Sequence, residues 1–334
     1  MAYSISSDLS KLMTFQDRSS FLNAKITSLS KELTTGRLAN LGRDRQAHVS
    51  RIHYLEQQIE LLSAYETVQK DASSHIDKVD LTLEKIQNSS QEFGHRLILA
   101  SSVSSRTAIF TAGQSAIALF EDIISDVNQA SSGGFIFSGH KTNQSPLPKA
   151  AEILEKIRGF TAGATSKEEL ESKLDDWFDG PNSVFQRDIY KGSVEGVRTF
   201  QVASAFSAEL SIKADSDTIR NLLKNTALAV VAATGSLSQS EQKIALKTAA
   251  EGLLSANGTL IEMRSGLGSL MERIENQTTH DAAQLVSFKQ NYNDLTRADP
   301  YKTATDLKAA ESQLENLYIL TSNLSKLSFM DYFE

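Results

Sequence analysis

Apolar residues recur along most of this chain at steps of three and four. Leu12, Phe15, Leu22, Ile26, Leu29 and Leu33 keep that register, with Ser19 as the one polar break, and Ile52, Leu55, Ile59 and Leu62 resume it after a polar gap. Ile76, Val79, Leu83, Ile86, Phe93, Leu97 and Ala100 follow, interrupted at Ser90, and then Phe110, Gly113, Ile117, Phe120, Ile124 and Val127. Such spacing lays one apolar stripe on a helix face, as in a bundle or coiled-coil seam. The C-terminal part repeats it: Leu246, Ala249, Leu253, Ala256, Leu260, Met263, Leu267, Leu270 and Ile274 hold a heptad register. Leu285, Phe288, Tyr292 and Leu295 continue after a step of eleven, which a helix absorbs as a stutter. Leu307, Ala310, Leu314, Leu317, Leu320, Leu324 and Leu327 close the pattern.

Proline usage agrees with long helices. The prolines are Pro146, Pro148, Pro181 and Pro300, so 1–145 and 182–299 contain no helix breaker. Asp299-Pro300 reads as an N-cap followed by the first residue of a helix. The middle differs. Gly133-Gly134 predicts a helix end leading into a hairpin, and Ser166 with Glu169 predicts a capping box for a short helix to about Phe178. Asp179 to Asn182 reads as a turn, 184–190 and 197–213 as short strands, and Asp215 as the cap of a return to helix.

The fold class predicted is mainly α: a long antiparallel helical bundle or coiled-coil rod formed by N- and C-terminal arms, with a small α+β insert at the distal end. Two arms with apolar stripes must bury them on each other, and a fifty-residue helix is about 75 Å long. The expected domains are terminal helices at 1–40 and 299–334, a helical rod at 41–134 and 216–298, and the mixed insert at 135–215.

Composition removes several function classes. Among 334 residues there is no cysteine, so disulfides, thiolate catalysis and zinc–thiolate sites are excluded. With 34 basic against 41 acidic side chains the net charge is −7, which argues against a phosphate-binding nucleic-acid surface. The longest apolar run, Ala227 to Ala233, is far short of the roughly 20 residues that span a bilayer. The opening MAYSISSDLSKLMTF lacks the charged and apolar blocks of a cleaved export signal.

Candidate chemistry is sparse. Gly134-Phe-Ile-Phe-Ser-Gly139-His-Lys-Thr142 nearly spells a phosphate loop, but His140 stands where the lysine belongs and proline-rich chain follows where a helix should open. Gly266-Leu-Gly268 lacks a dinucleotide fingerprint's third glycine and its preceding strand, and suggests a softened or closely packed helix position. His48 and His53 are badly spaced for one helix face, and His75, His95, His140 and His280 are isolated, which suggests solvated side chains. No catalytic constellation is legible. The expectation is a non-enzyme with no cofactor and no metal.

Taken in order, several motifs resemble the bacterial flagellin family. Lys31-Glu-Leu-Thr-Thr-Gly-Arg-Leu-Ala-Asn40 resembles its first helix end, Met263-Arg-Ser-Gly-Leu-Gly-Ser-Leu-Met-Glu-Arg273 its "R-x-x-L-G-x-x-x-x-R" stretch, and Asp299-Pro-Tyr-Lys-Thr-Ala304 the start of its last helix. The Gly134–Thr142 segment and the tail Leu327-Ser-Phe-Met-Asp-Tyr-Phe333 are similar to the branch that forms hook–filament junctions. One departure is Leu41-Gly-Arg-Asp-Arg45, where the family usually carries a double aspartate.

The resemblance implies a structural subunit exported through the flagellar type III apparatus and placed at the junction of the flagellum. Its partners would be a ring of copies of itself, the preceding hook-associated junction protein, flagellin, and an export chaperone on the C-terminal helix, with no nucleic acid and no membrane insertion. A short filament flagellin is the alternative, and a generic coiled-coil scaffold a more remote one. The interface residues implied are Leu12, Phe15, Leu22, Ile26, Leu29 and Leu33 with Leu314, Leu317, Leu320, Leu324 and Leu327.

Overall fold

The stripes fold as long helices. The structure is a computed structural model that describes residues 2–40, 46–103, 105–131, 133–179 and 183–330; the side chains of 2–9, 11, 12, 46–48 and 324–330 lie outside the described set. The helices are α1 (Ala2–Thr35), α2 (Gln46–Ser102), α3 (Arg106–Val127), α4 (Ala150–Thr161), α5 (Lys167–Phe178), α6 (Asp217–Thr234), α7 (Gln239–Thr296) and α8 (Pro300–Met330). Two antiparallel hairpins accompany them: β1 (Ala130–Ser131) with β2 (Gly134–Phe135), and β3 (Arg198–Ala203) with β4 (Phe206–Leu210). The chain is thus mainly helical, with long helices packed together and a small α+β region.

Two compact units are present, 1–63 with 281–334 and 64–280. In the second, α3 packs on α6 at short range, because a Cβ on Gly113 would lie 2.6 Å from that of Ala233. The apolar run resolves here: Ala227, Leu228, Ala229, Val230, Val231 and Ala232 are all buried, so α6 is a core helix covered on nearly all sides. Phe120 of α3 and Phe137, Trp177, Phe178 and Phe185 from the α+β region are among the largest fully buried side chains, and one continuous apolar cluster holds them together with Leu83, Leu97 and Leu253.

The α+β region lies along the helices. The Gln69 side chain of α2 donates to Val202 O in β3 (2.9 Å), and Arg273 of α7 stands 4.6 Å from the Phe206 ring centroid. At its other extreme, the Lys167 N–H that opens α5 donates to Glu241 near the start of α7 (2.8 Å). Residues 241 and 273 are roughly 48 Å apart along α7 at 1.5 Å per residue.

Several local expectations change. α3 ends at Val127, not at Gly133-Gly134: the Asn128 side chain exchanges two hydrogen bonds with the Leu147 backbone and turns the chain there. Phe110 is 59 % exposed; the buried stripe of α3 runs through Ile109, Ala112, Ala116, Phe120, Ile123 and Val127. Residues 185–189 form one π-helical turn, not a strand, with Phe185 and Ile189 buried four apart as a helix requires. Ser216, not Asp215, is the residue that precedes α6. Helix α4 was not expected, although Ala150, Ile153, Leu154 and Ile157 carry its stripe. The capping box at α5 forms: Ser166 Oγ accepts from the Glu169 N–H (3.2 Å), and the Glu169 carboxylate accepts from the Thr165 N–H (3.1 Å).

Gly134 ties this region down. Its φ is +94°, and a Cβ would fall 2.2 Å from Thr142 O. Gly134→Ala is expected to cost about 2 kcal/mol or more, from clash plus backbone strain. By contrast Gly36→Ala, at φ +68° with open space around the added methyl, should cost about 1 kcal/mol. Urea denaturation of both variants checks the order; equal losses would mean that the Thr142 contact does not constrain the turn.

Candidate assembly surface and its joints

The first unit is built around two helix ends. The Thr34 and Thr35 hydroxyls donate back to the carbonyls of Ser30 and Lys31, both 2.8 Å, and Gly36 then stops α1 in the left-handed conformation with its N–H on Glu32 O (2.8 Å). The Glu32 carboxylate accepts from the Ala39 N–H at 3.0 Å and folds the outgoing chain back. The strand-like segment so formed meets the joint between α7 and α8. Leu38 N–H donates to Thr296 O (2.8 Å), Ala298 N–H to Gly36 O (2.9 Å), and Arg37 and Arg297 form an antiparallel bridge.

Side chains brace this double joint. Asp299 Oδ1 accepts from the N–H groups of Tyr301 (2.9 Å) and Lys302 (3.2 Å), with Pro300 in the first helical position, as the sequence predicts. The Arg37 guanidinium lies 5.8 Å from the Tyr292 ring centroid, and the Tyr292 hydroxyl donates to Glu56 (3.1 Å). Partial burial and the adjoining carboxylate raise the Tyr292 phenol above its usual range, so it stays neutral and donating.

From the joint, α1 packs against α8. Leu22 is buried on α1, with Phe15, Ile26 and Leu29 half-buried, while Leu33 is exposed. On α8 the covered line is Thr303, Leu307, Ala310, Leu314 and Leu317. Leu317 is therefore buried within a single chain, whereas Leu320, roughly 100° round the helix from that line, is 54 % exposed. Tyr318 at 55 % and Ile319 at 53 % are exposed too. From Leu317 to Leu320 the helix is apolar all round, and the chain itself covers one side. The side chains of Leu12, Leu324 and Leu327 lie outside the described residues.

The other motif residues are joints as well, in the second unit. Arg264 of α7 reaches three side chains of α2: Asp80 (2.8 and 3.2 Å), Glu84 (3.2 Å) and Gln87 (3.0 Å). These hydrogen bonds hold its guanidinium charge and raise its pKa further. Within the hairpin motif, Phe137 O accepts from the Ala214 N–H (2.9 Å), Ser138 O from Ser193 (2.9 Å), and Ser138 Oγ donates to Gln144 O (2.9 Å). Gly266 and Gly268 have open space where a Cβ would stand, so they soften α7 without close packing. Among the described residues no three His, Asp or Glu side chains converge as a metal site, and no helix is long and apolar enough to cross a membrane.

Residues 7–142 match the bacterial flagellin N-terminal helical region, and residues 251–333 match the bacterial flagellin C-terminal helical region. The chain belongs to the bacterial flagellin family. No curated protein sequence matches it. Among solved structures, this flagellin-family chain is similar to one from Vibrio parahaemolyticus described as a flagellar hook-associated protein, at 12 % identity and a TM-score of 0.56, covering 75 % of this chain and 98 % of that one. It is also similar to Bacillus cereus FlgL, at 13 % identity and a TM-score of 0.52, covering 73 % and 100 %. At such identities the likeness is one of fold.

Three of the motifs singled out in the sequence thus fix joints: Gly36 and Asp299 where α1 meets the start of α8, Arg264 between α7 and α2, and Ser138 between the loops at Gln144 and Ser193. Arg264→Ala is expected to destabilise the second unit by about 1–2 kcal/mol, with the loss shared in a double-mutant cycle with Asp80→Ala. Additive losses in chemical denaturation would show that the pair is uncoupled. What the sequence did not disclose is the partner set; Arg264 and Asp80 are 184 positions apart, and Tyr292 and Glu56 are 236 apart.

Proposed function

We propose that this chain is a hook-associated subunit of the flagellum that forms the junction ring between hook and filament. The observation that carries the reading is the apolar girdle at Leu317–Leu320, which a single chain leaves more than half exposed on three of its four residues. Such a surface on a terminal helix calls for neighbours. Support for a junction subunit, as against a short filament flagellin, comes from the Gly134–Thr142 hairpin, the Leu327–Phe333 tail, and the near-complete coverage of two solved structures bearing hook-associated or FlgL names. On this reading the terminal helices, 1–40 and 299–334, make the inner layer of the tube, and Phe15, Leu22, Ile26, Leu29, Leu314 and Leu317 unite α1 with α8. Leu33 and Leu320 face neighbouring copies. Residues 41–134 and 216–298 form the next layer and 135–215 the outward one. The partners are other copies of the chain, the preceding junction protein, flagellin and an export chaperone; the protein leaves the cell by the flagellar type III route.

Deletion of the gene tests this. Cells should keep hooks, lose filaments and shed flagellin monomer into the medium. Loss of flagellin itself from the medium would identify the chain as the filament subunit instead, and unchanged filaments would end the proposal.

A further inference from the structure

The histidines read from sequence as solvated include one that is not. His75 of α2 is 5 % exposed, and its Nε2 has no hydrogen-bond partner among the described residues. Its ring packs on Phe200 of β3, centroids 5.6 Å apart. Arg198, two residues before Phe200 on the same strand, holds its guanidinium 5.1 Å from the same ring centroid, and Arg198 Nη1 is likewise buried and unpartnered. One aromatic ring therefore bears an imidazole and a guanidinium at the seam between α2 and the β3–β4 hairpin. Lys78, one turn on from His75, stands beside it with its ammonium on Ser131 Oγ (2.6 Å). Asp71, one turn back and exposed, is the acid whose charge acts on Arg198. The β1–β2 hairpin contributes Ser131 and Gly133 here, and no charge.

We infer that His75 is an acid-triggered latch: protonation places a third cation beside Arg198 and Lys78 at a buried seam and releases the β3–β4 hairpin from α2. The polar ties of the hairpin to the long helices are few, the Gln69 to Val202 hydrogen bond and Arg273 on Phe206, while Val202, Ala208 and Leu210 seat it in the apolar cluster, so the latch acts on the α2 side. Among the described residues the charges that act on His75 are those of Arg198 and Lys78, with no carboxylate to neutralise an imidazolium, so the charge must be expelled or hydrated.

The direction of the response follows from linkage. Burial first, then Arg198 and Lys78, lower the His75 pKa from 6.5 to about 4. A group whose pKa is depressed in the closed state keeps its contribution at pH above the open-state value and loses it as pH falls toward the closed-state one. The hairpin is thus latched above pH 6.5 and loosens between there and pH 4. Opening at pH 5 should be about twentyfold more frequent than at pH 7.

Hydrogen exchange of the full-length chain, corrected for intrinsic rates, tests the latch. Protection of 198–210 should fall by about twentyfold between pH 7 and pH 5, while 246–260 of α7 holds. In His75→Gln, and in His75→Phe, which packs on Phe200 without a titratable proton, that fall should vanish. An equal fall in the variants, or one shared by α7, overturns the latch. If neither variant folds, NMR titration of the wild-type imidazole decides: His75 should remain neutral to near pH 4, and a midpoint near 6.5 overturns it.

Discussion

Ile319→Asp with Leu320→Asp is expected to abolish assembly while leaving the folded chain almost unchanged. Both side chains are more than half exposed in the single chain, so the replacement removes little burial there. If neighbouring copies cover them, each apolar side chain loses roughly 1.5–3 kcal/mol of transfer free energy, and two buried carboxylates add a desolvation penalty. Tenfold in an equilibrium constant corresponds to about 1.4 kcal/mol, so the combined loss would leave no detectable junction. Cells carrying the variant should shed flagellin as a null strain does, with a normal thermal transition in the purified subunit. A control sharpens the contrast: Leu22→Ala, at a side chain 2 % exposed against α8, should destabilise the isolated chain by about 2–4 kcal/mol. Secreted and cell-associated subunit must be measured together, because a chaperone that uses the same girdle would lower secretion as well. A double-aspartate variant that still joins hook to filament would remove this surface from the assembly.

The second large effect concerns the core of the second unit. Trp177→Ala should cost about 3–5 kcal/mol, a substantial part of the 5–15 kcal/mol typical of a whole domain. Trp177 is 1 % exposed, with ring centroids 4.5 Å from Phe178 and 6.1 Å from Phe185. Because these rings share one apolar cluster with α2, α3, α6 and α7, the loss should appear throughout 64–280. Helical circular dichroism and hydrogen exchange in α3 should shift to the same lower urea midpoint as the β3–β4 hairpin. Melting of 135–215 alone, with α3 protected as in the wild type, would show that this segment is an independent module.

The sequence by itself determined the helices. Spacing of three and four is a local property, and the absence of proline over 1–145 and 182–299 let it run uninterrupted, so the long helices and the Asp299-Pro300 start were legible. Capping is local too, which is why Ser166 and Glu169 could be placed. Expectations failed where two local signals conflict. Val184 to Tyr190 has the composition of a strand, yet burial of Phe185 and Ile189 four apart made a helical turn, and Asn128 found Leu147 before the helix could reach Gly133.

Only the tertiary structure decided which parts of each stripe are covered. Leu317 and Leu320 are indistinguishable in the pattern, but α1 lies over one and not the other, because a stripe stepping by three drifts round the helix while the neighbouring helix stays on one side. The same holds for charge and burial. Arg264 was legible only as part of a motif, and α2 alone supplies its partners Asp80, Glu84 and Gln87; His75 looked solvated until Phe200 closed over it from a strand 125 positions away. Periodicity is written between neighbours in the chain; partners distant in sequence are chosen by how the helices pack.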